Sequence, residues 1–67
     1  MHSMIKTRIY RGGWGNTWHL LDAWGYSLCT SDTPAGIRRK KRGYYLYMTQ
    51  PDSEMDRIIQ EYFINVE

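Results

Sequence analysis

Apolar and polar residues alternate from the start of the chain. In MIKTRIYR, residues 4–11, Ile5, Thr7 and Ile9 share one side while Lys6, Arg8 and Tyr10 share the other, the two-residue period of a half-buried strand. GGWGN, residues 12–16, supplies a turn. TWHLLD (17–22) and YSLCT (26–30) predict two further strands, rich in aromatic and branched side chains. Between them DAWGY suits a tight turn, with Asp22 at its head and Gly25 in the left-handed region beside a bulge. Such a turn sets Asp22 opposite Tyr26, Leu20 opposite Leu28, Trp18 opposite Thr30 and His19 opposite Cys29. The apolar face of that hairpin is then Trp18, Leu20, Tyr26 and Leu28.

SDTPAG, residues 31–36, has loop composition, with Pro34 and Gly36 as punctuation. A run of cations follows, and then GYYLYMTQ, residues 43–50, alternates again. Tyr44, Leu46 and Met48 fall on one face and Tyr45, Tyr47 and Thr49 on the other, which predicts a fourth strand. After Pro51 the period changes. Met55, Ile58, Ile59, Tyr62, Phe63 and Val66 form one helical stripe, predicting a helix over about 53–64. Asp52 or Ser53 is its expected cap, and Glu54 and Asp56 stand in the first turn, where the helix dipole favours anions. The closing YFINVE also reads as a short strand.

These elements predict an α+β fold in a single domain spanning 1–67: a small antiparallel meander of three or four strands with one C-terminal helix packed on one face. The helix stripe is expected to cover Ile5, Ile9, Leu20, Leu28, Leu46 and Met48, leaving the other sheet face open. Three Trp, six Tyr and one Phe in 67 residues exclude a disordered chain and predict one thin core.

The charge is uneven. Residues 1–50 hold eight of the nine Lys and Arg but only Asp22 and Asp32 among the acids, whereas 51–67 hold five acids against Arg57. A basic body with an acidic end favours acidic partners on the basic side. Cys29 stands alone, so no disulfide forms within the chain, and no apolar run approaches the ~20 residues that span a bilayer. A cytoplasmic location with no membrane partner is the expectation.

The most pointed chemistry is GIRRKKRGYYLYMT, residues 36–49. Arg38, Arg39, Lys40, Lys41 and Arg42 are read as a loop that clamps phosphates, since guanidinium forks match phosphate oxygens. Tyr45 and Tyr47 follow on the face expected to stay open, a stacking platform for unpaired bases. Arg11 and Trp14 add a cation and an aromatic on the glycine-rich turn, with Lys6, Arg8, Tyr10 and His19 on the same side. RGYYLY shares its basic-Gly-aromatic order with the strand motif of RNA-recognition and cold-shock domains. It departs from that motif at Tyr45, where Gly or Ala stands, and at Leu46, where an aromatic stands. The chemistry converges without family membership.

Other constellations carry less. His19 opposite Cys29 lacks a third group for nucleophilic catalysis. His2, His19 and Cys29 lack metal-ligand spacing. Gly12, Gly13 and Gly15 lack the Lys-Ser/Thr ending of a phosphate cradle. The expected function is therefore a non-catalytic nucleic-acid-binding module, for DNA or RNA, with no cofactor or metal. The alternative is a protein-interaction module anchored by Trp14, Trp24 and tyrosines. In scale it resembles the compact accessory proteins with which bacteriophages and mobile elements modulate a host enzyme. A homodimer through edge strands or helix stripes is a third arrangement.

Overall fold

A computed structural model describes residues 6–13 and 17–64. Three strands, β1 (Arg8–Arg11), β2 (Trp18–Leu21) and β3 (Ser27–Ser31), form an antiparallel meander in the order β1-β2-β3. Two helical segments follow. The first, α1, spans Pro34–Thr49. The second begins with a 3₁₀ turn at Asp52–Glu54, continues as α2 (Met55–Ile59) and ends in a π-helical turn at Gln60–Ile64. The small α+β fold expected from the periodicity is present, with a three-stranded sheet.

The expected fourth strand at 43–50 is instead the second half of α1, and the expected basic loop is its first half. The sequence does carry the start signal. Thr33 is extended and its side chain accepts a hydrogen bond from the Gly36 amide at 2.9 Å, while Pro34 takes the first turn, where a missing N–H costs nothing. The helix stops before Pro51, which holds Gln50 extended. The Gln50 amide still closes on the Leu46 carbonyl at 2.8 Å.

The turn between β2 and β3 forms as its chemistry predicts. Gly25 has φ +93, the Asp22 amide donates to the Tyr26 carbonyl, and the Asp22 Oδ1 accepts the amides of Trp24 and Tyr26, both at 2.9 Å. The register beyond it differs from expectation. A bulge at Ser27 and Leu28 inserts one residue, so Leu20 pairs with Cys29, His19 with Thr30 and Trp18 with Ser31. One extra residue exchanges the faces of everything beyond it. Cys29 therefore replaces Leu28 on the inner face, and Leu28 and Tyr26 are exposed at 38% and 72%.

Ile9, Leu20 and Cys29 lie side by side on the inner face, which α1 covers by packing across all three strands. Leu20 of β2 and Ile37 of α1 are fully buried there. The second helical segment packs along α1 rather than across the sheet, and contributes Ile58, also fully buried. Its apolar stripe is real, but it faces α1. Leu46 is half-buried and Met48 exposed, while Ile5 and Val66 lie outside the described residues. Neither Asp52 nor Ser53 caps the second segment, because the chain enters from Pro51 through the 3₁₀ turn. Arg57 instead ties the segment together, donating to Glu54 at 3.0 Å and Glu61 at 2.8 Å. Residues 62–64 end helical rather than extended.

The two helical segments meet closely at Gly43. A Cβ there would overlap the Cβ of Tyr62 and sit 3.0 Å from Phe63 Cε2 and 3.1 Å from Tyr62 Cγ. A glycine in mid-helix normally costs about 1 kcal/mol against alanine. Here it lets two backbones approach.

Candidate nucleic-acid interface

The helical geometry of α1 sorts the basic run onto different faces. Arg39 turns toward the second helical segment, where its Nε donates to the Glu61 carbonyl at 3.1 Å and its guanidinium lies 5.3 Å from the Tyr62 ring centroid. Lys40 donates to the Thr30 carbonyl on β3 at 2.6 Å, and Lys41 to the Thr7 carbonyl just before β1 at 3.1 Å. Both lysines therefore pin α1 to opposite edge strands of the sheet. Each ammonium has three donors, so a single carbonyl contact does not use all of them.

Arg38 and Arg42 differ. They are exposed, four residues apart on the same helix face, and make no hydrogen bond or ion pair among the described residues. Tyr45, half exposed at 49%, continues the stripe one turn further on. Arg38, Arg42 and Tyr45, with Lys41 at their flank, make an outward face about 10 Å long at 1.5 Å per residue. No acid occurs anywhere in α1.

The placement of these cations works against helix stability. Arg38 and Arg42 repel as a like-charge pair at i,i+4, with no acid in the helix to offset them. That repulsion costs a few tenths of a kcal/mol. A solvated helix face chosen for stability intersperses acids among its bases at i,i+4 spacing; this face has none.

The remaining site residues are dispersed. Tyr45 and Tyr47 do not share a platform, because two residues along a helix turn the side chain to the far side. Tyr47 instead lines an apolar groove of about 260 Å³ with Tyr44, Ile59 and Phe63. Arg11 lies over the Trp18 ring at 5.7 Å from its centroid, at the sheet's other end. Trp14 lies outside the described residues.

The outer sheet face carries Arg8, Tyr10 and His19 together, as the alternation predicts. The Tyr10 and His19 rings are tilted by 44° with centroids 6.3 Å apart, and His19 Nδ1 lies 3.1 Å from Ser27 Oγ. Thus His19 partners Ser27, not Cys29. Cys29 faces α1, and partial burial raises its thiol pKa above the ordinary value, with nearby Lys40 pulling weakly the other way. A raised pKa disfavours the nucleophilic thiolate.

Sequence reading did not anticipate a cleft of about 420 Å³ between the start of β1 and the β2–β3 turn, lined by Lys6, Thr7, Arg8, Asp22 and Ala23. The signal for it was the strand register, which sets Arg8 opposite Leu21 and so brings Lys6 and Thr7 beside the turn. Among the described residues no cluster of His, Cys, Asp or Glu has the makings of a metal site, and no helix is long and apolar enough to cross a membrane.

No protein-family model matches this chain, and comparisons with curated proteins and with solved structures return no match.

Proposed function

We propose that this chain is a small nucleic-acid-binding domain that lays the outward face of α1 along a phosphate backbone. The observation that carries it is the pair Arg38 and Arg42, exposed, unpartnered among the described residues and set as a like-charge pair that works against its own helix. Their guanidinium forks take phosphate oxygens, Lys41 adds a third cation, and Tyr45 stacks or packs against the strand. The domain binds without catalysis, in the cytoplasm, and the unpaired Cys29 supports that compartment.

Salt tests it. Three phosphate contacts on a single strand give a slope of about −2 in log K against log salt, so affinity falls roughly twentyfold between about 50 and 200 mM. Fluorescence anisotropy with a labelled mixed-sequence oligonucleotide reads this directly. An affinity unchanged over that range contradicts the proposal.

A second reading rests on the β2–β3 turn. Trp24 and Tyr26 are 76% and 72% exposed on a backbone fixed by Asp22, the form of a protein-binding anchor. Binding of that kind varies little with salt, so the same titration against a captured protein partner separates the two.

A further inference from the structure

The cleft beside the β2–β3 turn adjoins the α1 stripe. Thr7, which lines it, is the residue whose carbonyl holds Lys41, so the cleft meets the α1 stripe at that contact, with Lys6 and Arg8 on its wall. Lys6 and Arg8 are exposed and make no hydrogen bond or ion pair among the described residues. At about 420 Å³ the cleft is within the range of small-ligand sites, and far too small for a duplex.

Asp22 gives the cleft a directional feature. Its Oδ1 is taken by the Trp24 and Tyr26 amides, whereas Oδ2 has no hydrogen-bond partner among the described residues. An ionised carboxylate only accepts, so a ligand meeting it must donate. Resting on the nucleic-acid reading above, we infer that this cleft takes one unpaired nucleotide of a bound single strand, with Lys6 and Arg8 on its phosphates and Asp22 Oδ2 accepting from the exocyclic amino group of the base. Cytosine presents such a donor to a carboxylate. Thymine and uracil present carbonyl oxygens on both sides of their single ring N–H, and these repel the carboxylate. The cations offset the repulsion between Asp22 and the phosphate.

The test compares short oligo(dC) and oligo(dT) on the wild-type chain and on Asp22→Asn. The asparagine keeps an oxygen for the two turn amides and puts an N–H donor where Oδ2 stood. The wild type is expected to bind oligo(dC) about tenfold more tightly, and Asp22→Asn to reverse that order by donating to a thymine carbonyl. Lys6→Ala with Arg8→Ala is expected to weaken both oligomers alike. Equal wild-type affinities, or an unchanged order in Asp22→Asn, overturn the cleft assignment; if binding then still fails in Arg38→Glu with Arg42→Glu, the α1 interface stands without it. No binding of either oligomer overturns both.

Discussion

Gly43→Leu is expected to lower the melting temperature by about 12–24 °C. The estimate follows from overpacking, which costs about 3 kcal/mol at the upper end of its usual range, at about 4–8 °C per kcal/mol in a domain of this size. The overlap at Gly43 is with the Cβ of Tyr62, an atom fixed to the backbone, so no rotamer change relieves it. The two helical segments must move apart, and Ile58 loses its burial. A 67-residue domain has only about 3–10 kcal/mol of stability, so the loss is a large share of the whole. Gly43→Ala suffers the same overlap but regains about 1 kcal/mol of helix propensity, and so falls between. Thermal unfolding followed by circular dichroism checks the order. A Gly43→Leu protein melting within a degree or two of wild type would show that the segments do not meet there.

Arg38→Glu combined with Arg42→Glu is expected to weaken oligonucleotide binding at least about a hundredfold, since two charge-assisted phosphate contacts are each worth about 1.5 kcal/mol. The fold should survive unharmed. Neither arginine has a partner to lose among the described residues, and the glutamates, still a like-charge pair, gain Lys41 and Arg39 as opposite charges three residues away, so the melting temperature should hold. Loss of affinity without loss of stability distinguishes an interface from a structural patch. Reversing Arg39 and Lys40, the centre of the run, is the less informative experiment. Those two hold the Glu61 and Thr30 carbonyls, and their loss disturbs packing whatever the domain binds.

What the sequence revealed of this molecule depended on whether the determining contact was local. The strands of the meander, the Asp22–Gly25 turn and the C-terminal helical stripe rest on short-range periodicity and turn chemistry, and each is present. The span 43–50 misled because tyrosines favour strands and because Gly43 weakens a helix, while the apolar alternation of Tyr44, Leu46 and Met48 also fits a helix lying between two layers. Tertiary packing decided it: Gly43 is required by Tyr62, nineteen residues on. Thr33-Pro34 was the local clue that outweighs the tyrosines. The bulge at Ser27 and Leu28 had no comparable mark, and it alone separated His19 from Cys29.

The candidate site was legible in chemistry and not in geometry. Arg38, Arg42 and Tyr45 belong to the basic and aromatic stretch that the composition singles out, but only the helix shows that they share a face with Lys41 at its flank, while Arg39 and Lys40 turn to Glu61 and Thr30. The cleft at Lys6, Arg8 and Asp22 needed the pairing of β1 with β2 to bring its walls together.

The most direct measurement of the α1 interface is an amide NMR titration of the labelled chain with a single-stranded oligonucleotide, at low and at moderate salt. The proposal predicts shifts at Arg38, Lys41, Arg42 and Tyr45 that fade as salt rises, joined by Lys6, Arg8 and Asp22 where the cleft is filled. Shifts confined to Trp24 and Tyr26, or none on α1 at low salt, would contradict it.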